Sequence, residues 1–141
     1  MSRATYYDSD NAPDPTEWRA LEVQDRIRVV VAYHRAAKRD TKKPKVHALL
    51  HVNVENLLLQ ARGPATRAMS RLMEEGLTRH QAIHALATVW LAYPVDSWSG
   101  DTNQSPQEKQ VAFNHAMENL SIDACEKLKA ELRRPTQFGM V

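Results

Sequence analysis

The chain contains one cysteine, Cys125, in 141 residues. An intrachain disulfide is therefore excluded, and nothing suggests a disulfide-stapled secreted scaffold. Glycine is scarce, at four residues, and none is arranged as a phosphate-cradling loop or a dinucleotide fingerprint. No apolar run approaches the ~20 residues of a membrane-spanning helix. Residues 1–16 are polar, with Asp8, Asp10, Pro13, Asp14 and Pro15 where a signal peptide would carry its apolar stretch. The expectation is a cytoplasmic protein with no membrane partner. Charge of one sign is lacking as well. Nineteen Lys and Arg against 17 Asp and Glu leave a net +2, a weak field for capturing nucleic acid. No nucleophilic triad is visible, and Cys125 sits beside Ala124 near Leu128 as a core filler would.

What is present is an ordinary globular composition, 43% hydrophobic and 26% charged, at a length that suits one domain. Few glycines and long runs of helix formers predict an all-α fold: a single compact, bundle-like domain of five or six helices over residues 15–135. A flexible arm, residues 1–14, precedes it, with Tyr6 and Tyr7 able to dock on the body, and a short tail, 136–141, follows. Pro15 and Thr16 start a helical pattern with Trp18 and Leu21 one turn apart. Glu22 to about Arg39 repeats apolar residues at helical spacing, although Val29, Val30 and Val31 also admit a strand. The stretch from Lys38 to Lys45 is a basic connector without interleaved aromatics, read as a solvated loop.

A central, very apolar helix is expected from about Lys45 to Arg62, ended by Gly63-Pro64. Ala65 to Glu75 follows, with Gly76 as its stop. Thr78 and Gln81 have capping-box form and open a helix to about Tyr93 that is expected to bury Ile83, Leu86, Ala87, Trp90 and Leu91. After a polar connector containing Trp98, read as packing back over the core or as a binding anchor, Ser105-Pro106-Gln107-Glu108 is a second capping box. It opens a long last helix to Pro135, which Asn119-Leu120-Ser121 bends or divides.

Chemistry concentrates on two of these helices. His47, His51 and Glu55 lie at one-turn spacing on the central helix, and His80 and His84 do so on the helix that Thr78 caps. Side chains four apart share a helix face. His47 falls inside the apolar arc of its helix, and His51 and Glu55 progress across it. A cluster of buried neutral imidazoles is hard to satisfy by hydrogen bonds alone, because each ring carries one donor and one acceptor. A divalent metal resolves this by taking one lone pair from each ring, and zinc, iron, manganese or nickel accept such sets. His47, His51 and His84 are the preferred ligands, with Glu55 as the fourth ligand or as a partner behind them. His80 lies nearer the helix start, and His34 is a further candidate. A hydrogen-bonded polar seam and a metal-free acid–base site remain open alongside. H-E-x-x-H and E-x-x-H are absent, so neither a zinc-protease base nor a di-iron bundle motif is present.

The H-x3-H-x2-V-E-N segment, with L-M-E-E-G-L-T-R-H-Q-A-I-H-A after it, resembles a family of small bacterial helical proteins, the 1841 family of domains of unknown function. The likeness covers about Val46 to Leu91. It implies a compact helical domain with His47, His51, His80 and His84 as motif residues beside Glu55-Asn56, and no assigned substrate. Two departures are Leu57, where the family carries Gln, and Gln81, where it often carries Glu.

Three functions compete at this level: a small metal-binding helical protein, with or without catalysis; a non-catalytic interaction module, a homodimer whose histidines form a structural seam; and nucleic-acid binding. The last rests on a helix-turn-helix outline over Leu72 to Leu91, and the apolar character of its second helix argues against it.

Overall fold

The computed structural model describes residues 7–36, 43–93 and 105–133. They form seven helices and no named strand: α1 (Pro15–Ala20), α2 (Val23–Ala36), α3 (Pro44–Leu57), α4 (Pro64–Glu74), α5 (Arg79–Ala92), α6 (Pro106–Glu118) and α7 (Ile122–Arg133). The all-α expectation holds. The number of helices exceeds the expected five or six because the final helix is divided. Arg71 donates to the carbonyls of Met117 and Leu120 at 2.8 and 3.2 Å, closing the end of α6. The Ser121 hydroxyl then accepts from the Ala124 amide at 3.1 Å and starts α7. Trp98 and residues 38–42 of the basic connector lie outside the described residues.

Local chemistry sets most boundaries. Asp14 caps α1 by accepting from the Glu17 amide at 3.0 Å. Both capping boxes form as their sequences predict: Thr78 with Gln81, and Ser105 with Glu108. Gly76 adopts φ +114 after α4. Its amide bonds to the Met73 carbonyl and that of Leu77 to the Leu72 carbonyl, a Schellman turn. The central helix α3 is shorter than expected. It ends at Leu57, and residues 58–62 continue in tight turns. The valine run of α2 is helical, not a strand: Val29 and Val30 are buried on its inner face. Packing there outweighs the weak β preference of branched side chains.

Two apolar clusters result. One gathers Tyr7, Trp18, Val29, Val30, Ala48 and Val52, from α1, α2, α3 and the segment before α1. The larger gathers Leu72, Ile83, Leu86, Phe113, Met117 and Leu120, among others, from α4 to α7, with Val54 from α3. Helix α3 thus feeds both clusters. It packs on α2 and on α5, while α5 also packs on α4, α6 and α7. Asn56 ties the smaller cluster together, its side-chain oxygen accepting from Trp18 Nε1 at 2.9 Å and from Arg26 at 2.8 Å. The second helix of the helix-turn-helix outline is α5. Ala82, Ile83, Leu86 and Val89 are fully buried in it, and Ala85 nearly so, so these side chains serve the core and not a groove surface.

Candidate metal centre

Helix α3 lies between α2 and α5, and each of the three contributes histidine to the shared seam. His34 comes from α2, His47 and His51 from α3, and His80 and His84 from α5. The five rings form one cluster. His34 lies 4.7 Å from both His47 and His51, centroid to centroid. His51 lies 5.2 Å from His80 and 5.1 Å from His84, and His80 lies 4.4 Å from His84. His34, His51 and His80 are buried, and His84 is partly so. These four each offer a ring nitrogen such that all four nitrogens lie within 4.8 Å of one another. His47 stands at the edge of this group, half-buried, 4.7 Å from His34 and 5.0 Å from both His51 and His84.

Hydrogen bonds fix which nitrogens face inward. His34 Nδ1 lies 2.9 Å from the Val30 carbonyl of its own helix. A carbonyl only accepts, so Nδ1 carries the proton and Nε2 keeps the lone pair. At His51 the argument runs through Tyr7. The Tyr7 hydroxyl donates to Glu55 Oε2 at 2.6 Å, which commits its one proton. His51 Nδ1, 3.3 Å from the same hydroxyl, must then be the donor. That leaves His51 Nε2 as a lone pair, and it faces His84 Nε2 at 3.1 Å. Without an ion between them, His84 supplies the proton for this contact. With an ion, both nitrogens become ligands.

Glu55 is 2% exposed and anchors the set from behind. Arg79 grips it with two parallel bonds of 2.8 and 2.9 Å, the bidentate geometry that makes such pairs strong. Arg79 also donates to the Ser9 carbonyl at 3.0 Å. Asp10 accepts from the backbone amide of His80 at 3.2 Å. Residues 7–10, inside the segment expected as a flexible arm, therefore lie across α3 and α5. Tyr7 is 3% exposed, edge-on to Tyr33 and near Trp18. Tyr6 lies outside the described residues.

Burial and mutual repulsion favour the neutral form of His47, His51 and His84. Burial, with His84 next among the neighbouring rings, pushes His51 down to about 2. Burial, then His80, pushes His84 down to about 3. Burial and His34 lower His47 as well. Burial, reinforced by the Glu55 carboxylate, raises the Tyr7 hydroxyl far above the ordinary phenol range. A neutral imidazole is the form that binds a metal.

The sequence-derived candidates are thus placed as follows. His51, His80 and His84 belong to the converging group of four. His34, a secondary candidate by sequence, is its remaining member. His47 borders the group, and the oxygens of Glu55 are engaged by Arg79 and Tyr7. Arg79 carries no sequence signal as a site residue, and Tyr7 carries only that of a ring able to dock on the body, where it is buried. Cys125 is buried in the larger cluster, and burial raises its thiol. No family model matches the chain, and neither a curated protein nor a solved structure matches it.

Proposed function

We propose that this chain is a small helical metal-binding protein that holds one divalent transition-metal ion on His34, His51, His80 and His84. The observation that carries the reading is the convergence of four imidazole nitrogens, from three helices, within 4.8 Å. A tetrahedral site with metal–nitrogen bonds of about 2.0–2.1 Å needs nitrogens roughly 3.3–3.4 Å apart. The His51–His84 pair, at 3.1 Å, already stands near that separation. The other nitrogens, within 4.8 Å of one another, would close further around a shared ion. The Arg79–Glu55–Tyr7–His51 chain supports the site as carboxylates behind metal-bound histidines do, by fixing the tautomer and the ring. Four neutral nitrogens and no carboxylate favour zinc, iron or nickel over manganese, which prefers oxygen. Membership of the 1841 family is likewise a proposal, resting on His47, His51, Glu55, Asn56, His80 and His84 as motif residues.

Elemental analysis of protein purified without a histidine tag tests this. The expected result is about one equivalent of metal after reconstitution, lost when His51 and His84 are both changed to Ala. Less than about a tenth of an equivalent, after exposure to zinc, iron and nickel in turn, would end the reading.

A second reading rests on a different observation. Leu91 and Val111 are 46% and 67% exposed. Tyr93, Val111 and Ala112 line a shallow groove with Gln107, Glu108 and His115. We propose that two copies of the chain pair through this face, with the histidines a hydrogen-bonded seam and no ion. Sedimentation at micromolar concentration should then show a dimer that Val111→Glu dissociates. A monomer across that range counts against it.

A further inference from the structure

The metal reading leaves His47 unused, and its position is specific. It is the histidine of α3 one turn before His51, and it approaches three of the four converging rings: His34 at 4.7 Å, and His51 and His84 at 5.0 Å each. Its ring meets those of His34 and His84 nearly at right angles, 84° and 86°. His34, His51 and His80 are buried, whereas His47 and His84 retain partial exposure. The solvent-facing side of the cluster is therefore the side that carries His47. An ion arriving from water must shed its hydration shell before it reaches the buried nitrogens. A fifth imidazole at the margin replaces one water before the buried rings replace the rest.

We propose that His47 is the exchange ligand of this centre: it takes up the hydrated ion, passes it to His34, His51 and His84 by stepwise ligand replacement, and escorts it out by the same route. The inference rests on the metal reading above and adds a kinetic role to it. Each uptake step forms one metal–nitrogen bond as one metal–water bond breaks, and in the last the bond to His47 breaks as the fourth ring, His80, binds, so no redox partner or proton acceptor is required while the rings are neutral. The consequence is a centre built for exchange with solvent or with a carrier of similar imidazole chemistry, not a permanently sealed structural site.

The test is metal exchange kinetics in the full-length chain, with cobalt(II) as the probe. Cobalt uptake is followed by its visible spectrum after rapid mixing, and release by transfer to excess chelator. His47→Gln and His47→Ala are compared with the unaltered protein, and helicity by circular dichroism confirms that each variant is folded. The expected result is that uptake and release slow together by about tenfold, which corresponds to a barrier higher by about 1.4 kcal/mol. Equilibrium affinity and the cobalt spectrum stay unchanged, because a group that lowers a barrier alters both directions equally. Unchanged rates overturn the proposal. So does a large loss of affinity with faster release, which would make His47 a resident ligand. Failure of the unaltered protein to take up any cobalt, zinc, iron or nickel instead overturns the metal reading itself, a result distinct from either.

Discussion

Arg79 holds both carboxylate oxygens of Glu55, at 2.8 and 2.9 Å, across the α3–α5 seam. Their side chains are 11% and 1% exposed. Removing one partner of a buried pair strands the other charge, which typically costs about 3–5 kcal/mol. Glu55→Gln should destabilise the fold by roughly that amount in urea unfolding. The Glu55→Leu, Arg79→Met double variant should recover only part of the loss: it strands no charge, but the Tyr7 hydroxyl and the Ser9 carbonyl each lose a bond. A loss below about 1 kcal/mol for Glu55→Gln would show that the pair is open to water.

Tyr7→Phe isolates the hydroxyl from the ring. The ring contacts with Trp18 and Tyr33 persist, while the 2.6 Å bond to Glu55 and the contact with His51 Nδ1 are lost. A hydrogen bond to a charged group contributes about 1.5–3 kcal/mol, and the unfolding free energy should fall within that range. Metal affinity should weaken by about 10–100-fold, because His51 loses the acceptor that fixes its tautomer. Unaltered affinity would detach Tyr7 from the centre.

In metal-free protein, acid should act through His51. Its folded-state pKa is about 2 against an ordinary 6.5. Above about pH 6.5 both states are neutral and this contribution to stability is fully present. Between those values the unfolded chain binds a proton that the folded chain refuses, so stability falls as pH falls. The folding constant should drop by up to about tenfold per pH unit for this one group. His84, depressed to about 3, shifts in the same direction. Urea midpoints measured with chelator should be level from pH 8 to 7 and decline from pH 6 to 5. A flat profile down to pH 5 would mean that the rings are solvated.

Gly76 carries φ +114, and among the described residues no atom lies within 4 Å of where a Cβ would stand. Gly76→Ala should therefore act through backbone strain alone, costing about 1–2 kcal/mol. Gly76→Asn should cost less, since Asn tolerates positive φ better. Equal losses from the two would point to crowding instead.

Much of the helical frame is legible in the chain, because it depends on neighbours in sequence. Thr78 with Gln81, Ser105 with Glu108, and Gly76 each act within four residues of themselves. The division between α6 and α7 is only half legible. Asn119-Leu120-Ser121 marks the place, but Arg71, some fifty residues away, closes the helix. The site follows the same rule. One-turn spacing put His47 with His51, and His80 with His84, on shared faces. Which face of α2 meets them depends on how α2 crosses α3, and no spacing reports that, so His34 ranked low. Arg79 read only as the first residue of a capped helix. Tyr7 is legible as a ring able to dock on the body, but its sequence neighbours do not say where it docks. Its role appears only when Glu55 is brought to it.

The anchors of residues 7–10 lie far along the chain. Tyr7 reaches Glu55, 48 residues on, and Ser9 and Asp10 reach Arg79 and His80, 70 residues on. Closing such wide loops is slow compared with winding a helix. During synthesis the bonds of Ser9 and Asp10 must wait until α5 has left the ribosome, whereas the partners of Tyr7 on α1, α2 and α3 emerge earlier. A stretch of four residues thus becomes the strap that fastens α3 to α5 from outside both helices.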